Sequence, residues 1–247
     1  MSAKTSPGGP APAVDALVVD KSRTPLMFTA IARRYDFLNH ALSFNVDRSW
    51  RRALVAYARA RAGERVLDVA TGTGDVAIAF AQRTRAAMIV GLDPSEGMLD
   101  VGRGKLGPAD PGRVQLVEGD ALALPFADAS VDVVSIAFGL RNLPDYEQGV
   151  REMARVLRPG GRLVILEFLP PKGAALLAYR VYLGTVLPVV GRIISGSAEA
   201  YGYLSASIRG FMEASDVRAL VAAAGLRHVE ARRLTGGIAA LYRGVKS

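Results

Sequence analysis

The chain has 247 residues, half of them hydrophobic and 22% charged, with two His, no Cys and a net charge of +8. This length builds one large domain with a full core, and the lack of Cys excludes thiol catalysis, disulfides and thiolate metal sites. His40 and His228 stand far apart in no ligand-like spacing, so no metal is expected. The basic balance is one that nucleic acid or an anionic membrane can exploit. The Arg residues are scattered rather than clustered, however, and no nucleic-acid partner is expected.

Residues 1–24 are rich in Ala, Pro, Gly and Ser, and Asp15 interrupts their only apolar stretch. That leaves no secretory core and reads as a disordered tail on a cytoplasmic protein. Residues 25–247 read as a single domain, with a helical cap over 25–62 and a helical insertion over 174–210. Within that insertion, residues 174–194 are apolar but carry Arg180 and Arg192. They fall short of the roughly 18 uninterrupted apolar residues that a spanning helix needs.

In the cap, residues 25–42 and 46–61 predict two helices, with Ile31, Tyr35 and Leu38, then Trp50, Leu54 and Tyr57, at helical spacing. They serve either as a cover for one edge of a sheet or as a lid over the turn that follows. That turn lies in 66–75, V-L-D-V-A-T-G-T-G-D: a short apolar strand, Gly72-Thr73-Gly74, and a helix. Glycines there allow positive φ and close approach of a ligand. The free N–H groups of the next helix point into the same turn. A polar ligand at the carboxyl end of the strand is the expectation for an open α/β sheet.

Residues 87–93 form a second buried strand ending in Asp93, and Ser95 caps the next helix. Residues 113–119 are a third strand, followed by Asp120-Ala121, and 131–137 are a fourth, running into F-G-L-R-N. Asp145 with Gln148 makes a capping box for a helix whose apolar face is Val150, Met153, Ala154 and Leu157. Arg158-Pro159-Gly160-Gly161 stops that helix, and 161–169 make a fifth strand. Two helices follow over 174–209, and a last helix through Val217, Leu220, Val221 and Ala224 ends at Gly225. Residues 226–234 and 238–246 flank T-G-G as a hairpin. The strand–helix alternation implies a parallel sheet covered on both faces, with an antiparallel strand added by the hairpin.

Gly72-x-Gly74-x-x-Ala77 also fits a dinucleotide fingerprint, which keeps an NAD-dependent oxidoreductase in view. Three acids favour another ligand. Asp68, inside the first strand, is suited to an ammonium group; Asp93, about 20 residues past the turn, to ribose hydroxyls; Asp120, after the third strand, to an adenine amino group. Together they suit S-adenosylmethionine. Asp68 and Asp120 each also fit a plain capping or turn role. A nucleic-acid methylase is disfavoured because A-F-G-L-R stands where amino-group methylases of DNA carry an N/D/S-P-P-Y-like block.

Four blocks resemble the quinone-biosynthesis C-methyltransferases, which methylate demethylmenaquinol and the related ubiquinone precursor. They are Y-D-F-L-N-H-A-L-S-F-N with S-W-R-R, then L-D-V-A-T-G-T-G-D, F-G-L-R-N, and R-P-G-G-R-L-V-I-L-E-F. S-A-E-A-Y-G-Y-L-S-A-S-I-R and L-T-G-G-I-A-A-L also look like theirs. The resemblance implies a Rossmann-like class I methyltransferase fold, a mostly parallel seven-stranded sheet with an antiparallel C-terminal strand. It also implies S-adenosylmethionine as donor. Family donor-binding positions fall on Thr73, Asp93, Asp120 and Ala121. Ala137 stands where the family commonly has a donor-contacting Ser, so that side-chain bond is lost here.

The implied reaction needs a base-assisted attack of a hydroquinone ring carbon on the donor methyl group. Arg141 of F-G-L-R-N is the expected catalytic residue. A guanidinium stays protonated, so its role is to stabilise the developing phenolate and hold a water that carries the proton off. The alternative for Arg141 is a structural ion pair with Asp145 or Glu167. Tyr35, Asn39, Asn142, Tyr201 and Arg209 are candidates for shaping the acceptor pocket, with packing or capping as the competing role for each. The implied acceptor is a prenylated quinol resident in the membrane, and 174–194 reads either as an interfacial helix in peripheral contact with that membrane or as a core helix closing over the active site.

Overall fold

The computed structural model describes residues 45–107, 112–169 and 216–247, together with Thr29, Ala32, Asp36, Ser43 and Thr185. Seven strands form one sheet: β1 (Arg65–Val69), β2 (Met88–Asp93), β3 (Val114–Glu118), β4 (Val131–Ala137), β5 (Leu157–Phe168), β6 (Leu226–Leu234) and β7 (Ala239–Lys246). Their order is β3-β2-β1-β4-β5-β7-β6. The first five pair in parallel, and β7 lies antiparallel to both β5 and β6. The helices are α1 (Val46–Ala58), α2 (Asp75–Arg83), α3 (Glu96–Arg103), α4 (Tyr146–Val156) and α5 (Val217–Ala223). The expected class I architecture is the one observed.

Alternation along the strands sorts the core into two halves. Val66, Ile89, Val133, Val164 and Leu166 pack with Trp50, Leu54, Val55 and Ala58 of α1 and with Val76, Ala77 and Phe80 of α2. Leu67, Val69, Leu92, Val134, Ile136 and Ile165 face the other way, onto Val150 and Met153 of α4 and Val217 and Val221 of α5. A parallel strand must hide both faces, which is why β1 and β4 read as apolar runs rather than as alternating ones.

Helix α1 is therefore built into the face of the sheet, beside α2 and across β5, rather than set along one edge. It ends earlier than the predicted 46–61: Arg59 takes up left-handed backbone at φ 50°. The Arg162 guanidinium then donates to the freed carbonyls of Ala58 (3.2 Å) and Arg59 (3.3 Å) while pairing with Glu64. This is cationic capping of a helix C-terminus.

The second difference is at R-P-G-G. Helix α4 stops at Val156 and the strand starts at once, so β5 begins at Leu157 rather than at 161. The pairing with β4 shifts between Val131 and Val133, and Gly160 sits at φ 76°. The four residues are a bulge inside the strand. Of the predicted helix over 25–42, Thr29, Ala32 and Asp36 are described, each helical. The insertion over 174–210 lies outside the described residues apart from Thr185. No helix among the described residues is long and apolar enough to cross a membrane.

If α1 belongs to the core, Leu54→Ala, at a fully buried position, lowers global stability by about 2–5 kcal/mol. Urea denaturation followed by far-ultraviolet dichroism checks this. A helix that acted only as a detachable lid would leave the main transition where it is.

Candidate active site

The order of the strands reverses between β1 and β4, and the expected residues gather at the carboxyl ends of β1, β2 and β4. After β1 the chain turns through Ala70 (φ 51°), Gly72 (φ 58°) and Gly74 (φ 76°) before α2. Gly72 and Gly74 do what their positions require. Ala70 and, at the end of β4, Phe138 (φ 55°) are non-glycine residues in left-handed backbone. Such strain costs on the order of 1–3 kcal/mol per residue and persists only where its surroundings hold it. Gly139 supplies part of that hold: a Cβ there would lie 2.6 Å from the Ala70 Cβ. F-G-L-R-N and the glycine turn thus press directly on each other.

Asp68 is buried under this turn, with 1% of its surface exposed. One carboxylate oxygen accepts from the Thr71 hydroxyl (2.6 Å) and the other from the Ser135 hydroxyl on β4 (2.7 Å). Burial pushes its carboxyl up to about 6, against the pull of those two hydroxyls. Among the described residues Asp68 makes no ion pair. Its two hydrogen-bond donors are neutral, and the nearby Arg51 charge only partly offsets the cost of burial.

Asp93 ends β2 and binds the same turn from the other flank. The Gly72 N–H donates to Oδ2 (2.8 Å) and the Ser95 N–H to Oδ1 (3.0 Å). Burial raises this carboxyl too, opposed by those two N–H groups. Each oxygen keeps a lone pair for a further donor, which ribose hydroxyls can supply. The Gly119 N–H donates to the Asp93 carbonyl (3.2 Å). One residue on, Asp120 is exposed and accepts from the Leu122 N–H (2.8 Å) in an Asx turn, with Ala121 buried beside it. Hydrogen bonds thus tie β4 to Asp68 and Asp68 to Thr71, whose N–H donates to the Leu92 carbonyl of β2 (3.0 Å), one residue before the Asp93 carbonyl that Gly119 reaches from the end of β3. The three acids sit at different depths: Asp68 beneath, Asp93 at the rim, Asp120 outside.

Ala137, at the end of β4, is half-buried. Arg141 follows in a single 3₁₀ turn, Leu140–Asn142, and is 4% exposed. Its Nη1 donates to the Phe138 carbonyl (2.6 Å) and to Glu167 Oε1 (2.8 Å), and its backbone N–H to Glu167 Oε2 (3.3 Å). Of the two acids expected as partners, Glu167 is the one used. Asp145 instead caps α4 through the Gln148 N–H (2.9 Å). The reciprocal half of that capping box is absent, because the Gln148 amide donates to the Leu122 carbonyl. The guanidinium lies 5.2 Å from the Phe168 ring centroid, within cation–π range. Arg141 Nε is buried with no partner among the described residues.

An aromatic group lies beside it. Phe138 and Phe168 stand 4.6 Å apart between centroids, and Trp50 is 5.9 Å and 6.1 Å from them. The Trp50 Nε1–H donates to the Thr235 hydroxyl of L-T-G-G (2.8 Å). Asn142 is half-buried next to Arg141. Tyr35, Asn39, Tyr201 and Arg209 lie outside the described residues.

The comparisons with known proteins meet this geometry. The model of the ubiE/COQ5 methyltransferase family matches residues 17–246. The chain belongs to this family. A demethylmenaquinone methyltransferase of Thermus thermophilus is 49% identical over 219 residues, covering 88% of this chain and 99% of that one. A ubiquinone/menaquinone biosynthesis C-methyltransferase of Geobacter sulfurreducens is 48% identical over 223 residues, covering 89% and 87%. Among solved structures, a SAM-dependent methyltransferase of Thermotoga maritima superposes with a TM-score of 0.62 at 19% identity, over 90% of this chain and all of that one. It shares the fold. As a member of the ubiE/COQ5 family the chain is an S-adenosylmethionine-dependent methyltransferase, and the residues fit the donor: a buried acid held by neutral hydroxyls, a rim acid with free lone pairs, and a glycine turn between them.

Because the native state favours protonated Asp68, its contribution to stability is fully present below about pH 4 and is lost as pH rises to about 6. The loss amounts to roughly 3 kcal/mol. Denaturant midpoints of the ligand-free protein across pH 4–7, taken relative to Asp68→Asn, should fall over that window. A flat difference would mean that Asp68 is ordinary in the folded state.

Proposed function

We propose that the chain transfers a methyl group from S-adenosylmethionine to a ring carbon of a prenylated hydroquinone resident in the membrane. Demethylmenaquinol is the expected acceptor, and the name of the Geobacter sulfurreducens relative supports the ubiquinone precursor as a further one. The single observation that carries the reading is the Arg141 guanidinium, held by Glu167 beside the half-buried rings of Phe138 and Phe168 at the ends of β4 and β5, with its Nε left without a partner among the described residues.

The donor supplies an electrophilic methyl group. Asp93 holds the ribose hydroxyls, Asp120 with Ala121 receives the adenine, and Asp68 and Thr73 serve the amino-acid end. The chain then has to align the acceptor carbon, which alone supplies roughly 7–11 kcal/mol of the barrier. It must also favour the phenolate form of the acceptor. A guanidinium does so by charge, and Glu167 keeps it aimed through bonds to both its side chain and its backbone. Phe138 and Phe168 offer flat apolar surface for the ring. With Ala at 137 the donor loses one neutral hydrogen bond, about 0.5–1.5 kcal/mol.

Asp93→Ala should weaken donor binding at least about tenfold by calorimetry, since bonds to a charged acceptor are worth roughly 1.5–3 kcal/mol. Unchanged affinity removes Asp93 from the site. Arg141→Ala should lower turnover while donor affinity stays intact; equal turnover would reduce the Arg141–Glu167 pair to scaffolding.

A further inference from the structure

One carboxylate touches the donor turn from outside the sheet. Asp36 Oδ1 accepts from the Thr73 hydroxyl (2.5 Å), and Oδ2 pairs with Lys105, just beyond α3. Lys105 also pairs with Asp75, the first residue of α2 (2.7 Å), and Asp75 with Arg51 of α1 (2.9 Å). The same N-terminal segment is fixed at a second point. Thr29 shares a hydrogen bond with Ser95 (2.7 Å), and its methyl group fills the space where a Cβ on Gly97 would go. Thr29, Ala32 and Asp36 are helical residues spaced three and four apart, so they share one helix face. Ala32 is 4% exposed. That face rests on the turns after both β1 and β2.

The consequence is chemical. A threonine hydroxyl has one hydrogen and two lone pairs. Thr73 is 3% exposed and gives its hydrogen to Asp36. Toward a ligand its oxygen can then only accept. It suits an ammonium or hydroxyl hydrogen and repels phosphate oxygens. A glycine turn leading into a helix N-terminus otherwise favours anions. Here the Asp36 carboxylate takes the Thr73 hydrogen, so the hydroxyl meets a ligand as an acceptor.

Resting on the reading that this turn holds S-adenosylmethionine, we infer that Asp36 is a positioning residue for donor binding. It orients the Thr73 hydroxyl as an acceptor and so biases the turn toward a cationic, N–H-bearing ligand over a phosphate-bearing one. Asp36 acts through Thr73 and is assigned no part in the transfer itself.

The test is calorimetric titration of the full chain with S-adenosylmethionine. Wild-type protein reports on the donor reading alone; no binding there removes that reading and this proposal with it. Given wild-type binding, Asp36→Ala should weaken it at least about tenfold. Thr73→Val should do the same, and Thr73→Ser should not. In the Thr73→Val background, Asp36→Ala should add less than about twofold, because its effect passes through the missing hydroxyl. Asp36→Asn retains an acceptor oxygen for Thr73 and should bind within about threefold of wild type. It also covers the case in which the alanine variant does not fold. Multiplying effects in the double variant, or a loss in Asp36→Asn as large as in Asp36→Ala, overturns the proposal.

Discussion

The constraint on which the rest depends is the grip of two buried carboxylates on one turn. Asp68 holds it from below through the Thr71 hydroxyl, and Asp93 holds it from the flank through the Gly72 N–H. The turn contains a left-handed alanine and two left-handed glycines, a shape the chain does not adopt without being held. In the proposed function the same carboxylates are what a sulfonium nucleoside meets. Structural restraint and ligand recognition share one set of atoms. This is economical, because a group already desolvated and oriented by the fold loses little more when the ligand arrives.

The turn also joins the two halves of the reaction. Ser135 links Asp68 to β4, and Gly139 sits against Ala70. The glycine turn and the segment bearing Arg141 are therefore packed against each other. Arg141 is in turn held by Glu167 on β5 and stacked near Phe168. The buried pair contributes little to stability by itself, since two charges have been taken out of water. In the proposed function its value lies in aiming a permanent positive charge at the place where negative charge develops in the acceptor.

Much of this is legible in the chain. The apolar run around Asp68 and those ending in Asp93 and Ala137 mark strands, and the glycines mark the turn, because local backbone preference and burial agree there. R-P-G-G reads as a helix stop, and that is half of what it is; only the pairing register with β4 reveals a bulge inside a strand. The partner of Arg141 is ambiguous in the sequence because Asp145 is nearer along the chain. The competing demand of the α4 N-terminus takes Asp145 and leaves Glu167. Asp36 carries no local signal at all. Its bond to Thr73 spans 37 residues and exists because a helix face lands on the turn. The depth of Asp68 is equally a product of assembly, since Ser135 reaches it only when β1 and β4 pair.

In the proposed function this arrangement moves a methyl group onto a prenylated hydroquinone ring. The most direct measurement is mass spectrometry of the quinone after the protein is incubated with S-adenosylmethionine and reduced demethylmenaquinone. The account predicts a product heavier by one methyl group in place of one ring hydrogen, formed only when donor, quinol and protein are all present. Recovery of unmodified quinone from a preparation that binds the donor would contradict it.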